Sequence, residues 1–159
     1  MAKISSMGVT VEIKDNSQEV KKALADALHR GLVAIGMSAE THAKDVLTEK
    51  VYTGDRPSKL TGYLRNSVTY AVAGYPAGTK SYKADTPKDG ETEPRTGEYV
   101  GEMDGEKDEF VAIGSGVSYA AGIEEGTHRK AGAVHFLRKA ATEHNDEYKE
   151  IMKKSFEDA

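Results

Sequence analysis

Apolar and polar residues alternate strictly over residues 8–14, with Val9, Val11 and Ile13 on one face and Thr10, Glu12 and Lys14 on the other. A period of two is that of a half-buried strand. The period then changes. Asn16, with Glu19 three positions on, has the pattern of a capping box. Behind it Val20, Leu24, Leu28, Gly31, Ile35, Ala39, His42 and Val46 recur at steps of three and four. That spacing predicts a long helix over residues 17–50 with one apolar stripe. Gly31 and Gly36 lie inside it, each costing about 1 kcal/mol relative to Ala; periodicity leaves open whether they mark close packing or a bend. Thr53-Gly54-Asp55-Arg56-Pro57 ends the element with turn chemistry.

Further along, Val68, Tyr70 and Val72 share a face and predict a second strand over residues 67–73. Residues 75–107 change character: Pro76, Pro87 and Pro94 stand among scattered Gly and mixed charges with few large apolar side chains. Such a stretch is too polar to bury and too long for an ordinary connection. It reads as a flexible insertion, a β-hairpin arm or loop between paired strands, with Tyr99 and Val100 as a short strand piece. The second of the paired strands is residues 109–114, carrying Phe110, Val111 and Ile113. Residues 119–125 form one helical turn or a tight loop. A closing helix is expected over residues 134–156, burying Phe136, Leu137, Ala140, Ala141, His144, Tyr148, Ile151 and Met152. The order predicts a single α+β domain over residues 1–159. Its long N-terminal helix and C-terminal helix pack on a small antiparallel β-sheet, with a long polar hairpin or loop insertion.

Composition narrows the function. The chain of 159 residues has 38% hydrophobic residues and no Trp, with a mean hydropathy of −0.59. Either the polar insertion dilutes the core, or the protomer completes its burial against copies of itself. A formal net charge of −4 argues against a general nucleic-acid binder, which is normally basic on one face. The absence of Cys removes disulfides and thiolate chemistry and is compatible with a reducing cytoplasm. Residues 1–7 lack the apolar core of a signal peptide, and no apolar run approaches the ~20 residues that span a bilayer.

Catalytic and metal patterns are missing. His29 and His42 are thirteen positions apart on one predicted helix, roughly 20 Å at 1.5 Å per residue. No HExxH or closely spaced His pair occurs. Ser115 in Gly114-Ser115-Gly116 lacks the Gly-x-Ser-x-Gly context of a nucleophile elbow. No Gly-Lys-Ser/Thr phosphate loop is present. Glu124 and Glu125 are adjacent and would diverge by about 100° on a helix. The chain therefore reads as a non-enzyme with no catalytic, cofactor-binding or metal residues. Arg129 and Lys130, with His128 and Arg138, form a small basic cluster that reads either as a solvated loop or as a contact for an acidic patch on a neighbouring subunit.

Three motifs remain: Thr61-Gly62-x-Leu64-x-x-Ser67, Tyr119-Ala120-x-x-x-Glu124-x-Gly126-Thr127, and Phe136-Leu137 leading into the closing helix at Ala140. In that order, after a long N-terminal helix, they resemble the neck or tail-completion proteins that act at the head–tail joint of long-tailed bacteriophages. The resemblance covers residues 8–156. It departs at His135, where the family commonly has Pro, and in the length of the 75–107 insertion. It implies a structural virion protein of the neck, made in the host cytoplasm. Copies self-associate into a ring between the head connector and the tail terminator or tail-tube proteins. DNA passes through the channel without sequence-specific binding, and no membrane or cofactor is involved. A net-acidic protomer suits such a channel, since strong attraction to DNA would retard its passage. The candidate interface residues are Thr61, Gly62, Leu64, Tyr119, Glu124, Gly126, Thr127, Arg129 and Phe136. A ring needs two different complementary patches per protomer, here the 117–138 segment and the insertion or long helix. The alternatives are a tail terminator or minor capsid component, or a non-viral cytoplasmic protein-binding module.

Overall fold

In the computed structural model, residues 2–6, 9–13, 16–52, 61–74, 79–100, 109–127 and 132–158 are described. The protein is α+β. Strand β1 (Ala2–Ser6) pairs antiparallel with β2 (Val9–Ile13). The second of these is the strand that the alternation predicts; β1 was not expected. Helix α1 follows over Ser17–Leu47 and continues into one π-helical turn, Thr48–Tyr52. Its start is simpler than a capping box. The Asn16 side chain makes no cap hydrogen bond, and the Asn16 carbonyl accepts the Val20 amide at 3.1 Å.

The buried face of α1 is rotated from the predicted stripe. Ala27, Gly31, Leu32, Gly36, Ala39, Ala43 and Leu47 face inward, whereas Val20 and Leu24 are 63% and 57% exposed. Small residues explain the rotation, because they let other elements approach the helix backbone. A Cβ at Gly36 would stand 2.3 Å from Cδ2 of Tyr70 on the sheet, and one at Gly31 would stand 2.6 Å from the Met152 sulfur. Both glycines therefore mark close packing.

Beyond α1 come α2 (Tyr63–Ser67) and β3 (Val68–Val72). Strand β3 pairs antiparallel with β6 (Val111–Ser115), in a register that sets Val68 opposite Ser115 and Val72 opposite Val111. These are the paired strands expected around the insertion. Within the insertion, β4 (Thr79–Lys83) and β5 (Thr96–Val100) form an antiparallel hairpin. Its base is docked: Ala84 is buried, and the Asp85 amide donates to the Thr61 carbonyl at 2.6 Å.

The expected closing helix is two helices, α4 (Phe136–Thr142) and α5 (Asn145–Glu157), preceded by the short α3 (Ala120–Glu124). The break between α4 and α5 has a side-chain cause. The Asn145 amide donates to the Thr142 carbonyl at 3.0 Å, and the Tyr148 hydroxyl donates to the Ala140 carbonyl at 2.5 Å. Both occupy acceptors that a terminating helix leaves free. Of the expected buried face, Phe136 and Ala140 are buried, Ala141 is exposed, and α5 has no fully buried residue. The main core joins Ala43, Leu47, Val51, Leu64, Val68, Val117, Ala120, Val134, Phe136 and Ala140. Each of the three sequence motifs contributes to it.

Candidate functional site

The second and third motifs meet at α3 and the start of α4, and the first shares their core through Leu64. Helix α4 begins at Phe136, so its early amides lack partners within the helix. The Glu124 carboxylate supplies them from outside: Oε2 accepts the Leu137 amide at 2.9 Å and Oε1 accepts the Arg138 amide at 3.0 Å. The negative carboxylate also complements the positive end of the helix dipole. The backbone reinforces the joint, as the Val134 and His135 amides donate to the Ile123 and Glu124 carbonyls, each at 3.1 Å.

His135 sits at φ 54, ψ 40, the one described non-Gly residue with positive φ. A proline there is locked near φ −65° and has no N–H to give. A proline could therefore not replace His135 without changing this geometry. Gly126, at φ 74, is required on two counts. An L side chain is strained there, and a Cβ would lie 2.3 Å from the Ala133 nitrogen.

The first motif is equally internal. Gly62, at φ 73, starts α2, and its carbonyl accepts the Asn66 amide at 2.9 Å. Asp85 from the hairpin lies over this turn, paired with Arg65 and accepting the Asn66 side-chain amide at 2.8 Å. A Cβ on Gly62 would fall 2.0 Å from an Asp85 carboxylate oxygen. Ser67 donates to the Leu64 carbonyl at 2.7 Å, and its hydroxyl meets that of Ser115 at 2.6 Å. Ser115 in turn accepts the Val117 amide at 3.2 Å. The apparent nucleophile fragment is a turn fastened to α2.

These contacts give several of the interface candidates roles inside the protomer. Leu64 and Phe136 are 2% and 0% exposed core residues. Glu124 is buried and spends both oxygens on α4, so it is no outward-facing charge. Gly62 and Gly126 shape turns, and the Thr61 carbonyl holds the hairpin. Arg129, with His128 and Lys130, lies outside the described residues. What stays outward is Tyr119, 48% exposed, and the exposed Thr127. Tyr119 lines a shallow open concavity with Ser118, Ala121, Gly122, Glu125 and Thr127. Arg138 pairs with Glu125 at 3.2 Å beside it, a surface contact worth little on its own.

A tyrosine cluster adjoins this surface. Tyr63 and Tyr82 are tilted rings with centroids 5.2 Å apart. Burial, and the hydrogen bond and charge of Tyr63, push the Tyr82 hydroxyl up to about 12. Burial likewise raises Tyr119, with the neighbouring Tyr52 and Tyr63 phenols adding to it. Neither group is a base at neutral pH. Glu124, Glu125 and His135 each offer a ligating atom within 4.8 Å of the others, but the Glu124 oxygens are already committed to amides. The geometry is therefore that of a braced surface with an exposed aromatic residue.

Sequence reasoning missed two features here. Asp85 follows a strand in a polar stretch, and nothing local reveals its tertiary partners. Val20 and Leu24 share the period of the core stripe, which hides that residues 17–26 of α1 are exposed. Comparison of the chain with protein-family models, curated proteins and solved structures finds no match. Among the described residues, no helix is long and apolar enough to cross a membrane.

Proposed function

We propose that this chain is a structural protein of the neck of a long-tailed bacteriophage, assembling as a ring between head connector and tail around the DNA channel. The observation that carries the reading is that the three family-like motifs, far apart in sequence, share one core through Leu64, Ala120 and Phe136. The Glu124 cap ties Tyr119–Thr127 to Phe136-Leu137, and Ser67 ties the first motif to Ser115 on β6. Motif residues committed to internal bracing suit a load-bearing part. His135 and the length of the 75–107 insertion remain the two departures from the resemblance.

A closed ring requires two unlike surfaces on each protomer. Two are available: the Tyr119 concavity, and the exposed apolar stripe of Val20 and Leu24 on the first turns of α1. Aromatic residues are enriched at protein interfaces, where a rigid ring gives contact area at little entropic cost. The test is Tyr119→Glu in the encoding phage. Being half-exposed, the substitution should change folding stability by no more than about 0.5 kcal/mol, while head–tail joining falls sharply. Normal joining by a folded Tyr119→Glu protein would remove this surface from the interface.

A further inference from the structure

The fold brings together side chains that no sequence motif links. His42 lies near the end of α1, His144 at the break between α4 and α5, and Glu147 in the first turn of α5. His42 and Glu147 are 105 positions apart. Their ligating atoms, with that of His144, all lie within 4.8 Å of one another. One carboxylate oxygen, Oε2 of Glu147, is 2.8 Å from Nε2 of His42 and 3.8 Å from Nδ1 of His144. The other oxygen accepts the Ser38 hydroxyl, which fixes the carboxylate and leaves Oε2 facing both rings. All three groups are partly exposed, and α5 turns a polar concavity lined by Thr142, Asn145 and Asp146 toward solvent beside them.

We propose that His42, His144 and Glu147 bind a divalent transition ion of the zinc class, and that the ion clasps α5 onto α1. Two imidazoles and a carboxylate form a donor set that zinc accepts, with water completing a tetrahedron from the open side. Imidazole nitrogens select such ions over magnesium and calcium, which prefer oxygen ligands throughout. The Ser38 hydroxyl is the outer partner that orients a ligating carboxylate.

The two rings are stacked, with centroids 3.4 Å apart and planes within 3°. Parallel rings aim their lone pairs side by side. An ion about 2.0–2.1 Å from each nitrogen requires the rings to fan apart, so binding replaces the stack. The clasp would reinforce a helix that packs along α1 yet has no fully buried residue. That packing includes Met152 and Ser155 over Gly31, the Tyr148 ring tilted against His42, and a long Arg30 contact to the Ser155 carbonyl.

The experiment uses the full chain, stripped with chelator and titrated with zinc chloride and with cobalt chloride. The expected results are one saturable equivalent of zinc, a Tm raised by several degrees, and the strong visible absorption of four-coordinate cobalt. His42→Asn, His144→Asn and Glu147→Gln should each weaken zinc binding at least tenfold, and magnesium chloride should leave Tm unchanged. The cobalt spectrum needs no variant, so it decides even if a substitution unfolds the protein. No zinc-dependent shift and no cobalt band would overturn the proposal. So would zinc binding that survives in the His42→Asn/His144→Asn double variant, which would place the ion elsewhere.

Discussion

Glu124 Oε2 lies 2.9 Å from the amide nitrogen of Leu137, and this contact fastens α3 to the first turn of α4. With the second oxygen on Arg138, one side chain does the work of an N-cap from thirteen residues away. The cap ties the Glu-x-Gly-Thr motif to the Phe-Leu motif, so that one anchors the other. It also changes the outcome expected of a charge reversal. A charge that merely faced a neighbouring subunit could be reversed with Tm nearly unchanged, whereas a buried cap cannot.

Removing the cap by Glu124→Ala should therefore lower folding stability by about 2 kcal/mol, the range for lost caps and for hydrogen bonds to a charged group. Glu124→Lys should cost more, since it sets a cation against unpartnered amides. Urea unfolding measures both. A loss under about 0.5 kcal/mol for Glu124→Ala would mean that the α4 amides find another partner.

His135 makes a second test of the same joint. Its φ of 54 and its amide bond to the Glu124 carbonyl are both incompatible with proline, so His135→Pro should destabilise by about 3 kcal/mol or more. His135→Gly relieves left-handed strain and should be neutral or mildly stabilising. If the proline variant melts with the parent, the joint does not depend on a positive φ or an amide bond at residue 135.

The tyrosine cluster sets an alkaline limit. Burial and Tyr63 hold the Tyr82 hydroxyl at about 12, above the usual tyrosine value of about 10. The folded protein therefore keeps a proton that the unfolded chain releases. The resulting stability is complete below pH about 10 and is lost as pH rises toward about 12. Burial raises Tyr52, Tyr70, Tyr119 and Tyr148 in the same direction. Urea midpoints at pH 8 and pH 11 should fall steeply in the parent and less steeply in Tyr82→Phe. Equal slopes would show that Tyr82 ionises alike in both states.

Local periodicity made the α+β class, α1, β2, β3 and β6 legible before any coordinates, because each of these elements carries its own two- or three-to-four-residue pattern. It placed Gly31 and Ala39 inward correctly but drew the stripe off the centre of the buried face of α1 and extended it to the exposed Val20 and Leu24. Large apolar residues drew the stripe, whereas small ones such as Ala27, Gly31 and Gly36 admit the packing partners. The break at residues 143–144 stayed hidden because the side chains that cause it, Asn145 and Tyr148, also suit a continuous helix. Polarity gave the insertion its hairpin character but not its docking, which depends on Asp85 finding Arg65 and Asn66 in another element. The same holds for the site. Tyr119 was legible as an amphipathic ring beside a turn. The capping role of Glu124 was not legible locally, because its partners lie thirteen and fourteen residues ahead. The His42–His144 stack is a purely tertiary relationship between two helices.

Loss of the gene from the encoding phage tests the neck assignment most directly, with electron microscopy of the particles that accumulate. The account predicts DNA-filled heads and finished tails lying separate, with joining restored by the parent protein supplied in trans. Joined, infectious particles at normal yield from the deletion would contradict it.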